Sequence, residues 1–318
     1  MTSATARPTT EILTARDVPL GGLRAMNVRR TLPQRQRSLI GAWCFLDHYG
    51  PDRVDETGGM LVAPHPHMGL QTVSWLFGGT IEHRDSVGTH ALIRPGELNL
   101  MTAGSGISHS EVSTDEATVL HGVQLWVALP DGDRHTEPAF THYVPPVVHG
   151  QGWDAQVFLG SMFDHTSPVE TFSPLLGAEV IVDGGTTITP VTDETFEYGV
   201  LVDFGTVHVN GVEVTRNQLA YVAPGEPLAI QADDLAHLLL LGGPPFGEEI
   251  VMWWNFVGRD HAEIVEARAD WMAQVTDNNG VLQDSQEIYD GRFGIVEGDH
   301  LPPIPAPGLP NARLKPRA

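Results

Sequence analysis

An all-β chain built from two related halves, with one helix near the C-terminus, is the fold that the sequence predicts. Three observations predict it. Glycine and proline are abundant, 34 and 24 among 318 residues, which favours short strands and tight turns over helix bundles. The apolar runs mix β-branched and aromatic residues and stop at turn dipeptides. A faint internal echo sets Ile93-Arg94-Pro95-Gly96-Glu97 beside Val222-Ala223-Pro224-Gly225-Glu226, each bridging two apolar runs.

In chain order, residues 1 to about 10 are Thr/Ala/Pro-rich and read as a loose tail. Leu70 to Phe77 reads as a strand ending at Gly78-Gly79, and Thr118 to Leu129 as one ending at Pro130-Asp131-Gly132. Pro145 to Gly152 has the composition of a linker. Beyond it, Glu197 to Val209, Val212 to Ala223 and Leu235 to Leu241 are strand-like, with turns at Asn210-Gly211 and Pro224-Gly225. Asp260 and Glu263 have capping-box spacing before Ile264, Ala267, Arg268, Trp271, Met272 and Val275, which recur at helical spacing. Arg268 belongs at the rim of that stripe, and Asn278-Asn279-Gly280 is expected to close the helix. Residues 297 to 318 hold six prolines and end in a basic run, so they read as an extended tail laid over a neighbour. The expected divisions are 1–149, 150–276 and a tail over 277–318.

Acidic residues outnumber basic ones by 40 to 18, a formal net charge of -22. Such a surface repels phosphate backbones and anionic lipids, which argues against direct nucleic-acid binding. Cys44 is the single cysteine, so no intrachain disulfide can form, and the reading is cytoplasmic. The first ten residues lack the apolar core of a signal peptide. The longest aliphatic run, Leu238 to Leu241, is too short to span a bilayer.

Two pairs carry candidate chemistry: His65-Pro66-His67 and His109-Ser110-Glu111. In a strand, side chains two apart leave the same face, roughly 7 Å from each other. Two such strands brought together would offer three imidazoles and one carboxylate. That set suits a first-row metal such as Fe(II) and leaves open positions on an octahedral ion. Spacing alone is a weak signal, since His135-Thr136-Glu137 and His261-Ala262-Glu263 have the same form and read as a loop pair and a helix start.

The glycine framework around the pairs is more specific. Gly59, His65, His67, Gln71 and Gly78 fit the first cupin motif, G-x5-H-x-H-x3-E-x6-G, with Gln71 where Glu is usual. Gly106 precedes His109 at the spacing of the second motif, and Gly104 stands in place of its proline. Together with RRTLPQRQRSLIGAWCFLDHYGP (29 to 51), APHPHMGLQTVSW (63 to 75) and IRPGELNLMTAGSGISHSE (93 to 111), this pattern resembles the pirin family of the cupins. The resemblance implies two tandem cupin-type antiparallel β-barrels (jelly-rolls). It also implies one divalent metal in the first barrel, iron or another first-row metal, on His65, His67, His109 and Glu111. The second half has no His-x-His, so its barrel is expected to be structural.

Asp47, His48, Gln71 and Trp75 are further candidates for the pocket or for support of the ligands, each with a plainer reading in packing or loop hydrogen bonds. No G-x-S-x-G elbow, P-loop or dinucleotide-binding glycine triplet competes with the metal pairs. The family likeness implies oxygen chemistry of the quercetin 2,3-dioxygenase type on a small aromatic or enolizable substrate, with dioxygen as co-substrate and Glu111 as the base. Its rival is a non-enzymatic redox sensor that binds a protein partner, a transcription factor or a metabolic enzyme.

Overall fold

The computed structural model describes residues 10–20, 26–114, 117–277, 279–283 and 290–318. Among them the regular structure is mostly strand, with helices only at Val54–Thr57 and His261–Val275. No described helix is long and apolar enough to cross a membrane.

The strands gather into two compact units that are discontinuous in sequence. One holds the described residues up to Arg16, Arg29–Trp43 and Pro145–Phe246; the other holds Asp17–Val28, Cys44–Val144 and Gly247–Ala318. The contiguous divisions expected at 149 and 276 differ from this partition at both ends of the chain, and pairing across long sequence separations is the reason. Thr10–Thr14 adds to Gln218–Val222 as an antiparallel edge, with Thr10 opposite Val222. The described residues after Phe246, helix included, belong with the unit that holds the histidine pairs.

In the unit formed around Pro145–Phe246, a seven-stranded sheet runs in the order Thr10–Thr14, Gln218–Val222, Glu197–Phe204, Ala236–Gly243, Leu176–Val182, Trp153–Leu159, Val148–Gly150. A four-stranded sheet runs Thr187–Ile188, Ile230–Ala232, Thr206–Val209, Val212–Thr215. Val157, Val180 and Leu238 from the first sheet and Val207, Val214 and Ile230 from the second share one apolar core. The run Glu197 to Val209, expected as one strand, is divided at Gly205, because the chain there leaves one sheet for the other. Asn210-Gly211 closes a two-residue hairpin with Val209 opposite Val212, both turn residues at positive φ.

The second unit repeats the plan. Its seven-stranded sheet runs Ala139–Tyr143, Leu98–Thr102, Leu70–Gly78, Val119–Ala128, Trp43–Arg53, Met26–Leu32, Arg16–Leu20. Its smaller sheet runs Leu61–His67, Ile107–Ser113, Ile81–Asp85, His90–Ile93. The repeat lies in the strand order and not in the sequence echo. Both Pro-Gly segments are closed turns, with Glu97 N–H donating to Arg94 O and Glu226 N–H to Ala223 O at 3.2 Å. Pro95-Gly96, however, precedes Leu98–Thr102, whereas Pro224-Gly225 follows its counterpart Gln218–Val222.

Helix His261–Val275 starts where its cap predicts. Asp260 accepts from the N–H groups of Ala262 (2.6 Å) and Glu263 (3.1 Å). It ends at Thr276 in extended conformation, before Asn279-Gly280; Asn278 lies outside the described residues. Ile264, Ala267, Trp271 and Val275 pack with Met68, Phe256, Phe293 and Ala306. Gln274 is the buried member the apolar stripe did not show; it donates to Gly294 O and accepts from Phe293 N–H. Trp271 Nε1 donates to Ile304 O and Arg268 Nε to Pro307 O, so the C-terminal segment is laid along this helix.

Gly104, where the cupin motif usually has proline, sits at φ +51°, and a Cβ there would lie 1.9 Å from Thr136 O. Proline cannot adopt that angle. Gly104→Ala is expected to destabilise the fold by on the order of 2–4 kcal/mol in denaturant unfolding, from left-handed strain plus backbone overlap.

A charged cluster spans three strands of the first unit: His237 Nδ1 lies 2.8 Å from Asp203 and Nε2 2.6 Å from Glu179. Burial opposes the imidazolium, but the two carboxylates outweigh it and raise the pKa from 6.5 to about 9. The folded state therefore keeps a proton that the unfolded chain releases between those values. The stabilisation, on the order of 3 kcal/mol, is complete below pH 6.5 and is lost as pH rises through about 9. Unfolding free energies measured across that window should fall for the wild type and stay flatter for His237→Gln.

Candidate metal centre

Leu61–His67 reads LVAPHPH, with prolines alternating with histidines. Proline has no N–H to donate, so it suits an edge strand with its bare side turned outward. Leu61–His67 is such an edge. Pro64 O accepts from Ile304 N–H, away from the sheet, and residues two apart share that direction. His65 and His67 thus stand on one face, while their backbones turn toward Ile107–Ser113. His109 lies opposite His65, and the register shifts before Glu111, which lies opposite Val62.

The three imidazoles converge. Ring centroids are 5.0 Å apart for His65 and His67, 4.4 Å for His65 and His109, and 4.9 Å for His67 and His109. One ring nitrogen from each lies within 4.8 Å of the others. Glu111 follows two residues after His109, and Ser74 Oγ–H donates to its Oε1 at 2.8 Å while also lying 2.9 Å from Gln124 Oε1. All four candidate ligands are buried.

Burial decides their charge. It lowers His65 to about 4, a direction reinforced by nearby His83 and opposed by the hydrogen bond to Ala63 O. His67 and His109 are held well below 6.5, first by burial and then by neighbouring imidazoles. Glu111 is raised by burial, with His83 and the Ser74 hydroxyl pulling the other way. Neutral imidazoles are the form that ligates a metal.

The donor set fits a metal ion. His65 donates Nδ1–H to Ala63 O at 2.9 Å, leaving its Nε2 free to face an ion. His109 Nε2 is buried without a hydrogen-bond partner, a costly arrangement for a polar atom in a folded interior. Three neutral nitrogens and one carboxylate then suit a first-row divalent ion.

The pleat sorts the remaining candidates. On strand Leu70–Gly78, Ser74 faces the site, so Gln71 and Trp75 point to the opposite face of that sheet. The expectation that they line the pocket or support the ligands is therefore corrected for both, and Gln71 instead donates to Thr102 Oγ1. His48 likewise alternates with Asp47 and sits by Phe77 and His121, at 6.3 and 5.7 Å between ring centroids, away from the site. Asp47 shares its strand face with Phe45 and Tyr49. The Tyr49 phenol is raised well above 10, first by burial and then by the charges of Glu111 and Asp47. Gly78 carries no steric demand of its own: the nearest atom to an added Cβ is His121 Cβ at 3.8 Å.

Several residues near the ligands escaped sequence reasoning. Trp126 meets His67 edge-on at 5.2 Å between centroids and stacks on Phe45 at 4.1 Å. His83 lies opposite Glu111, Asp85 opposite His109, and His83, His109 and Glu111 form a second convergent group. The signal for His83 and Asp85 was present: His-x-Asp has the same two-residue spacing as the ligand pairs.

Comparison with known proteins agrees with this architecture. Residues 24–127 match the Pirin family model and residues 177–277 the Pirin C-terminal cupin domain. A Pseudomonas aeruginosa protein named "Putative quercetin 2,3-dioxygenase PA1205" is 42% identical over 94% of this chain and 90% of its own length. A Pirin-like protein of Caulobacter vibrioides is 36% identical over 88% and 94%. The crystal structure of quercetin 2,3-dioxygenase from Acinetobacter baumannii superposes with a TM-score of 0.85 at 39% identity, covering 95% of this chain and 96% of that one. Two cupin units in one chain, with the histidine pairs in the unit that holds Cys44–Val144, and relatives that align along nearly its whole length lead to one assignment: the chain belongs to the pirin family.

Proposed function

We propose that this chain is a metal-dependent dioxygenase of the quercetin 2,3-dioxygenase type, holding one iron on His65, His67, His109 and Glu111. The convergence of three buried imidazoles beside a buried carboxylate carries the reading, and the names of its relatives support it. When bound, the ion would supply Lewis acidity toward an enolizable hydroxyl and a redox centre for dioxygen.

The chain's own residues supply the rest. Glu111 accepts the hydroxyl proton of the substrate; its carboxylate, raised by burial, is a stronger base than an exposed one. Ser74 fixes the orientation of that carboxylate through its 2.8 Å hydrogen bond. Trp126, stacked on Phe45, forms an aromatic wall beside His67 suited to a flat ring. Burial of all four ligands keeps bulk water from the reacting atoms. The other barrel, packed with valine and leucine, has a structural role.

Metal analysis of the purified protein beside His67→Ala tests the reading. About one ion per chain is expected in the wild type, falling well below that in the variant. Oxygen uptake with quercetin should accompany the loaded protein. Bound iron with no oxygen uptake on flavonols, and partner binding that changes between ferrous and ferric forms, would instead favour the non-enzymatic sensor.

The metal-free protein offers a second check. His65, His67 and His109 have folded pKa values below 6.5, so the unfolded chain binds more protons as pH falls from 6.5 toward 4. Their contribution is present above 6.5 and is lost on acidification. Glu111 has the opposite sign, its penalty growing as pH rises above 4.5. Three histidines against one carboxylate give a net fall in the unfolding midpoint on acidification, and His65→Gln should flatten it.

A further inference from the structure

His83 and Asp85 take no part in the chemistry above, yet both are almost wholly buried beside the ligand strand. Their hydrogen bonds form a chain whose direction is fixed at its far end. Asp85 Oδ1 accepts from the backbone N–H groups of Val87 at 3.1 Å and Thr89 at 2.8 Å. Backbone N–H groups only donate, so the carboxylate is anchored as an acceptor. Its other oxygen, Oδ2, lies 3.1 Å from His83 Nε2. That nitrogen must therefore carry the hydrogen.

A neutral imidazole has one N–H, so His83 Nδ1 is left with a lone pair. It faces His109 Nδ1 at 3.4 Å. Of the two facing nitrogens only that of His109 can then donate. Once its hydrogen is on Nδ1, His109 has a bare lone pair on Nε2, the buried atom without a partner. The ring of His83 is itself held against Phe140, 4.8 Å between centroids.

We propose that Asp85 and His83 are positioning residues that fix the tautomer of His109, so that its Nε2 lone pair is presented to the metal ion. The inference rests on the metal-centre reading and adds to it a cause for the ligand's orientation. The anionic end of the relay also makes His109 a stronger donor, as a carboxylate–histidine pair does behind a metal ligand.

The decisive substitution is Asp85→Asn, which keeps size and shape. With its amide oxygen toward His83, its NH2 meets the N–H groups of Val87 and Thr89; turned round, its NH2 meets Nε2–H of His83. Either way, donor faces donor. His83→Gln should preserve the relay, because its amide oxygen can accept from His109 while its NH2 donates to Asp85. His83→Phe removes both hydrogen bonds and keeps a ring beside Phe140.

Co(II) is the probe. Metal-free wild type and the three variants are titrated with Co(II), following its visible absorption and its competition with a chelator. Circular dichroism and unfolding midpoints of the metal-free forms show which variants are folded. About one Co(II) per wild-type chain is expected. Asp85→Asn and His83→Phe should bind it on the order of 10–100-fold more weakly with an altered spectrum, and His83→Gln should recover most of the affinity. Folded Asp85→Asn and His83→Phe with wild-type affinity and spectrum would overturn the positioning role while leaving the metal centre intact. Equal weakening in His83→Gln and His83→Phe would overturn it too, since a side chain able to make both hydrogen bonds would then serve no better than one that makes neither. If Asp85→Asn does not fold, the two His83 variants decide. A wild type that takes up no Co(II) would overturn the metal centre itself.

Discussion

The antiparallel pairing of Leu61–His67 with Ile107–Ser113 is the contact on which the centre depends. It places His109 opposite His65, and the register shift that follows sets Glu111 opposite Val62. A slip of one residue would turn His65 and His67 to the opposite face of the sheet from His109 and Glu111. The prolines help to prevent it. Pro64 and Pro66 have no N–H, so Leu61–His67 can pair as a strand on only one side without loss, and that side faces Ile107–Ser113.

The edge strand does not stand alone. Ile304 N–H donates to Pro64 O, and Val257 N–H to Met68 O, so segments about 190 to 240 residues later in the chain pin both ends of the ligand-bearing stretch. Behind them Met68 shares a core with Trp271, Phe256 and Phe293. Helix His261–Val275 is thus part of the support of the candidate centre. Its amphipathic pattern foretold a buried face but could not say against what.

Burial and charge act together here. Removing three imidazoles from water holds them neutral, the state that ligates a metal, while the same burial lifts Glu111 toward its protonated form. Ser74, from the larger sheet, offsets part of that cost by hydrogen-bonding the carboxylate. The other unit is built differently: its core is filled by valine, leucine and alanine, and its half-buried His237 is held as the cation between Glu179 and Asp203.

Local chemistry is what the sequence by itself determined. The turn at Asn210-Gly211, the Asp260 cap, the Pro-Gly turns of both halves and the two candidate ligand pairs, each taken by itself, were legible, because each depends on residues within a few positions of one another. Tertiary structure alone decided which face of Leu70–Gly78 meets the ligands, and it chose Ser74 over Gln71 and Trp75. It also decided that His83 and Asp85 stand behind His109, and that both ends of the chain join units far from them in sequence. Alternation along a strand fixes which side chains share a face, whereas which face turns inward depends on partners that only folding brings near.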